Sequence, residues 1–296
     1  MKKIPYYPGC TLKTTGKNFE DSAIATAKVL GLELLEIDRW NCCGTVTSLT
    51  QDDLIHHIAS VRNFIRVQEM NERGEVDDYR LLTLCSMCYN TLKSVSNVMQ
   101  ERPDDLDKIN NFMDREEDYK GGVTVVHLLE LIREMGFDEI KSKVKKSLGK
   151  LKVSPYYGCT LLRPKEVALD DPEVPTIMED LLNAIGVDVI DSPKKSMCCG
   201  SYQTVRNPKT VVRLGYEIIE SARKRGAEAL VTSCPLCAFN LDDRQKEIKL
   251  EHPDFERMPV FYFTQLTALA FGLKKEVNNF DLNFTDPRPL LKKKKI

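Results

Sequence analysis

The chain has 296 residues, 42% hydrophobic and 29% charged, with 43 Lys plus Arg against 44 Asp plus Glu. This is globular composition, with room for one large domain or two of ordinary size, and a formal net charge of -1 points to neither nucleic acid nor acidic partners. No apolar run approaches the ~20 residues of a membrane span. Two lysines lead straight into a strand-like segment with no signal-peptide apolar region, so a cytoplasmic protein is expected.

The predicted elements alternate from the start. Lys3 to Cys10 reads as a short buried strand ending in a turn, and Phe19, Ala23, Ala27 and Leu30 have helical spacing that stops at Gly31. A second strand, Leu32 to Ile37, leads to Trp40-Asn41-Cys42-Cys43-Gly44. A longer helix follows from Leu54 to Met70, then a third strand, Tyr79 to Leu84, ending at Cys85-Ser86-Met87-Cys88. A helix carries Leu92, Val95 and Met99. The charged stretch Arg102 to Lys120 reads as an exposed helix pair or loop. Val123 to Val126 is the fourth strand, followed by His127 and a helix to Met135. The basic stretch Lys141 to Lys150 reads as a linker, which divides the chain into residues 1–147 and 148–296.

The pattern then restarts. Lys152 to Tyr157 is a strand ending at Gly158-Cys159, and a helix from Pro175 stops at Gly186. A strand from Val187 to Ile190 leads to Cys198-Cys199-Gly200. The helix Pro208 to Arg225 is followed by a strand, Ala229 to Thr232, ending at Cys234-Pro235-Leu236-Cys237. Another helix runs to about Leu250. Val260 to Phe263 is the last strand, before a helix to Phe271 and an irregular tail with four lysines, Lys292 to Lys295. Strand alternating with helix, twice over, predicts an α/β protein of two tandem pseudo-symmetric units with small parallel sheets. Every cysteine group falls at the carboxyl end of a strand, the usual place for a site in such sheets.

The ten cysteines form two sets of five in the same order: Cys10, Cys42, Cys43, Cys85 and Cys88, then Cys159, Cys198, Cys199, Cys234 and Cys237. The lone cysteines and the Cys-x-x-Cys pairs repeat at an offset of 149, the central pairs at 156. A chain of this length has core enough without disulfides, so repeated cysteine sets favour metal. Five ligands exceed the four that a tetrahedral zinc or a cubane cluster takes. Either one thiol per set is free, or one is a substrate-responsive ligand, or the cluster is not a cubane. Adjacent cysteines suit a multi-iron cluster, because their sulfurs diverge toward different metals. Cys-x-x-Cys at a helix start also places thiols where the helix dipole favours thiolate.

Each half resembles the CCG domain: a lone Cys in Gly-Cys-Thr-Leu, then Cys-Cys-Gly, then Cys-x-x-Cys. The gap between the central pair and the Cys-x-x-Cys, 41 residues in the first half and 34 in the second, departs slightly from the family spacing. Two such domains with all five cysteines in both, and no ferredoxin-like cysteine run, resemble the paired-CCG catalytic component of heterodisulfide reductases. That resemblance implies an oxidoreductase acting on sulfur, with a non-cubane [4Fe-4S] cluster in each half ligated by the ten cysteines. Zinc in one half is the alternative cofactor. It further implies a disulfide, coenzyme M–coenzyme B heterodisulfide in methanogenesis, cleaved between the two clusters. The implied partners are two further subunits of the same complex, one ferredoxin-like with iron-sulfur centres and one flavin-containing. The alternative function is electron transfer through iron-sulfur clusters within another oxidoreductase complex.

Other candidates are weaker. His127, with Thr264 as its counterpart, is either a proton donor or a capping or core histidine, the second reading having more weight. His56 and His57 begin a polar helix and read as solvated. Lys13, Arg163, Lys165 and Arg206 lie within seven residues of a cysteine and are candidates for a substrate's acidic groups. Trp40 reads equally as a wall of the cluster or a core aromatic.

Overall fold

The computed structural model describes residues 1–45, 53–76 and 78–296. Two four-stranded parallel sheets carry the chain. In the first half, β1 (Lys2–Tyr7), α1 (Gly9–Leu12), α2 (Lys17–Val29) and β2 (Leu32–Glu36) precede α3 (Leu54–Glu72) and β3 (Arg80–Thr83). Then come α4 (Ser86–Glu101), α5 (Pro103–Phe112), β4 (Thr124–His127), α6 (Leu128–Met135) and α7 (Phe137–Ser142). The second half holds β5 (Lys152–Pro155), α8 (Ile177–Ala184), β6 (Asp188–Val189), α9 (Gln203–Arg206), α10 (Pro208–Lys224) and β7 (Ala229–Thr232). It ends with α11 (Pro235–Ala238), α12 (Gln245–Glu251), β8 (Val260–Tyr262), α13 (Phe263–Ala270) and α14 (Arg288–Lys293).

The strand orders are β2-β1-β3-β4 and β6-β5-β7-β8. The chain leaves β1 toward one edge and returns to build the other, so the order reverses between β1 and β3, and likewise between β5 and β7. A crevice opens at the carboxyl ends of such strands. Cys10 follows β1 and Cys85 follows β3; Cys159 follows β5 and Cys234 follows β7. The topology therefore delivers lone cysteine and Cys-x-x-Cys to the same crevice in each half. The strands on either side are buried: Ile4, Leu81, Leu82, Val153, Ala229 and Val231 are fully enclosed. That is why these segments read as short apolar runs rather than alternating ones.

The halves clasp each other. The last long helix of each half packs on the first long helix of the other, α13 on α2 and α6 on α8. Phe19 stacks on Tyr262 at 4.3 Å between ring centres, and the Ser22 and Thr264 hydroxyls lie 2.7 Å apart, both fully buried.

Several expectations change. The stretch Lys141 to Lys150, read as the linker, is held against the second half: the Lys145 and Lys146 amides donate to the Ala270 carbonyl, and Leu148 is fully buried. The helix after Cys234 is broken, with a π-helical turn at Phe239–Asp243 between α11 and α12. The tail is ordered into two 3-10 turns and α14. His57 is 2% exposed, packed inside α3 rather than solvated.

Candidate redox centre

Each lone cysteine is set up by a tyrosine and a glycine. Tyr7 and Tyr156, equivalent by the offset of 149, reach from β1 and β5 to the residue before the central pair. Tyr7 donates to the Asn41 carbonyl at 3.0 Å and Tyr156 to the Met197 carbonyl at 2.5 Å. Gly9 and Gly158 then turn the chain at φ +72° and +68°, where a Cβ would stand 3.1 Å from Cys88 Sγ and 3.2 Å from Cys237 Sγ. Only glycine combines that backbone with that approach to sulfur.

The central pairs end in a matched turn. Gly44 and Gly200 have φ of +86° and +98°, and the next residues, Thr45 and Ser201, are also left-handed at +40° and +45°. This turns the Gly200 amide onto Cys198 Sγ at 3.4 Å, and the amides of Gly44, Thr45 and Ser201 act to lower the Cys42, Cys43 and Cys199 thiols. Amide donors of this kind stabilise thiolate. Tyr7, Tyr156, Thr45 and Ser201 were missed in the sequence. The aligned Gly-Cys-Thr-Leu segments, each with a tyrosine two residues before the glycine, could have flagged the tyrosines only after the register was known.

The thiols converge. Cys43 and Cys88 lie 3.6 Å apart between sulfurs, as do Cys199 and Cys237, and all ten cysteines are free. The leading influences on these thiols are one another. Cys43 is held well below the usual thiol range, first by Cys42 and then by Cys88, while Cys88 is pushed well above it, first by Cys43. Cys198 is lowered to about 2, chiefly by Cys159, and Cys237 is raised, chiefly by Cys199. Bound metal cations would favour thiolate throughout such a network and release protons. Among the described residues no three Cys, His, Asp or Glu side chains are gathered tightly enough for a single metal ion. A donor set of five spread thiols, cradled by side-chain-free glycines and amide donors, fits a multi-iron cluster.

The two sets meet. Cys85 of one half and Cys234 of the other flank the seam, and Cys234 is the first cause of the lowered Cys85 thiol. Beside them the fully buried Ser86 and Ser233 hydroxyls lie 2.8 Å apart, and the Ser86 amide donates to the Ser233 carbonyl at 3.3 Å. Tyr202 of the second half donates to the Thr45 carbonyl, joining the two central turns.

The lesser candidates separate from this centre. His127 is fully buried and caps α6: its Nε2–H donates to the Leu84 carbonyl at 2.7 Å, and Nδ1 accepts from the Leu129 amide. Both ring nitrogens are engaged, which is the capping and core role. Its counterpart is Tyr262, not Thr264, because Thr83 pairs with His127 and Thr232 with Tyr262, and Glu130 and Gln265 close equivalent caps. Lys13 is paired with buried Glu20 at 2.8 Å and with Glu36. Arg163 binds Glu173 and the Pro172 carbonyl. Lys165 is exposed in a 3-10 turn, and Arg206 is exposed at the end of α9, on the segment that reaches the Thr45 turn. Trp40 meets Tyr7 edge-on at 5.9 Å and donates to Glu36.

This fold and cysteine arrangement define a paired cysteine-rich domain protein. The chain belongs to the CCG cysteine-rich domain family, which matches residues 4–93 and 153–242. It is 32% identical, over 98% of its length and 99% of the relative's, to the 8-methylmenaquinol:fumarate reductase membrane anchor subunit of Wolinella succinogenes. It is 27% identical, over 96% of its length and 94% of the relative's, to the B-type subunit of the ferredoxin/F(420)H(2)-dependent CoB-CoM heterodisulfide reductase of Methanosarcina acetivorans. A protein of Archaeoglobus profundus, named for its likeness to the same heterodisulfide reductase component, is 26% identical over 93% of both chains. The solved structure of a hypothetical protein from Helicobacter pylori superposes with a TM-score of 0.75 at 12% identity, covering 96% of this chain; the chain spans about half, 52%, of that structure. Among the described residues no helix is long and apolar enough to cross a membrane.

Proposed function

We propose that the chain is the catalytic redox component of a heterodisulfide reductase-type complex, reducing a disulfide to two thiols at the seam between its halves. The observation that carries this reading is the Ser86–Ser233 contact, which joins the residues next to Cys85 and Cys234 across the seam between the two five-thiol sets. In this reading all ten cysteines are ligands to two non-cubane [4Fe-4S] clusters, which when bound supply one electron from each side of the substrate. The reaction breaks one S–S bond and takes up two electrons and two protons to form two thiols. The chain's own part is to hold the two sets of thiols in place. The Ser86–Ser233 clamp fixes the spacing, and Tyr7 and Tyr156 hold the loops that present the central pairs. Electrons enter from partner subunits, one with iron-sulfur centres and one flavin-containing. The name of the Methanosarcina acetivorans relative, which makes its complex dependent on ferredoxin or F(420)H(2), supports an external donor.

A second reading has its own support. The 32% identity to part of a quinol:fumarate reductase favours an electron-transfer role in a complex that handles a quinol and cleaves no disulfide. The test is a turnover assay on the anaerobic, iron-loaded protein with reduced viologen as donor. Oxidation of viologen on adding coenzyme M–coenzyme B heterodisulfide, with two thiols formed per disulfide consumed, supports the first reading. No thiol release, with viologen oxidised by a naphthoquinone instead, supports the second.

A further inference from the structure

The pseudo-symmetry creates two equivalent corners, each where a lone-cysteine loop of one half meets the Cys-x-x-Cys helix of the other. The corners are built differently. At the first, Asn90 on α4 donates through Nδ2 to the Thr160 and Arg163 carbonyls, both at 2.7 Å. This stitches the loop after Cys159 to the helix carrying Cys88. At the second corner the residue equivalent to Asn90, by the offset of 149, is Phe239, which offers no such donor.

Here a cavity of about 160 Å³ opens, lined by Thr11 and Thr15 on the loop after Cys10, by Pro235, Leu236 and Phe239 around Cys237, and by Tyr262 and Phe284. Its lining is drawn from segments next to both cysteine sets: the Thr11 hydroxyl lies 3.8 Å from Cys10 Sγ, and Pro235 and Leu236 lie between Cys234 and Cys237 in sequence. Its lining carries no charged side chain. A second, independent feature marks the same place. The helix after Cys237 slips into its π-helical turn at Phe239, and π turns recur where a helix is re-aimed at a site. Phe284, 42% exposed and edge-on to Phe239 at 5.7 Å, stands at the mouth.

We infer that this one-sided corner is a binding pocket for the uncharged, apolar arm of the two-electron substrate, and that the matching corner at Asn90 is sealed. The inference rests on the redox reading above. A charged group has no partner in the lining, whereas an alkyl chain or a quinone ring would pack against Leu236, Phe239 and Phe284, beside the hydroxyl-bearing Thr11 and Thr15. The shared chemistry is the apolar arm; its source is either a disulfide or a quinone.

The test is calorimetric titration of the anaerobic, iron-loaded full chain with dibutyl disulfide and with menadione. At least one should bind at one per chain, and which one binds identifies the source. Thr15 is exposed, so Thr15→Trp fills the pocket without loading the core; it should weaken that binding by about tenfold or more, with iron content and visible spectrum unchanged. Phe284→Ala, which removes a wall, should weaken it by a smaller factor. Binding of neither probe, or undiminished binding to Thr15→Trp, overturns the pocket. Binding blocked by Thr15→Trp without turnover of either substrate class keeps the pocket and removes the redox reading. Turnover in Thr15→Trp with unchanged KM does the reverse.

Discussion

Gly9 and Gly158 show how far a single residue determines the site. Each combines a left-handed backbone with a sulfur at the distance a Cβ would need. Gly9→Ala should cost about 1 kcal/mol or more from backbone strain alone, and it should also displace Cys88. Urea unfolding and iron content per chain would read the two effects together; unchanged iron content would separate the glycine from the site. His127 makes a prediction of a different kind. Burial without charge pushes its imidazole down to about 4, from an unfolded value near 6.5. The native state thus refuses a proton that the unfolded chain accepts. The resulting stability is intact above about pH 6.5 and is lost progressively as pH falls toward 4, by about 3 kcal/mol at most. His127→Asn keeps a capping side chain but not the titration, so its stability should fall less steeply than wild type across that window. The cysteines were legible in the sequence because thiols carry their chemistry in residue type. The tyrosines that position them were not, since a buried tyrosine in a strand looks like core until its hydroxyl partner is known.

Among elements, the strands and the long helices were readable from apolar runs and glycine stops, because burial imposes those patterns directly. What periodicity missed were tertiary outcomes. The π turn after Cys237, the ordered tail and the buried His57 all depend on what packs against them. Lys13 is the instructive case: near a cysteine in sequence, it is held by Glu20, which is fully buried and also paired with Lys17 at 2.6 Å and approached by the Tyr6 hydroxyl. Glu20→Gln breaks this cluster and should cost about 2 kcal/mol from lost charge-assisted hydrogen bonds, seen as a lowered urea midpoint. Lys13→Met should change stability more than substrate affinity. Asn90→Ala, at the sealed corner, strips donors from two carbonyls and should cost about 2 kcal/mol by the same measurement.

For the whole molecule, duplication explains the arrangement better than either half does alone. Each half brings its lone cysteine and its Cys-x-x-Cys to the switch point of its sheet, the halves exchange helix contacts, α13 on α2 and α6 on α8, and Ser86 meets Ser233 beside Cys85 and Cys234. The repeat of cysteines announces two sets of thiols; the clasp that joins the halves is a tertiary outcome that no local pattern announces. Residues 1–147 expressed alone would expose Phe19, Ser22 and Ser86, all buried against the second half. They should therefore unfold at lower urea concentration than the intact chain or self-associate, which sedimentation and circular dichroism would show. The measurement that bears most directly on the central claim is the metal and acid-labile sulfide content of the anaerobically purified chain. Two clusters of the proposed kind predict about eight irons with matching sulfide per chain. One zinc with about four irons would leave a single redox half, and zinc alone would contradict the redox account altogether.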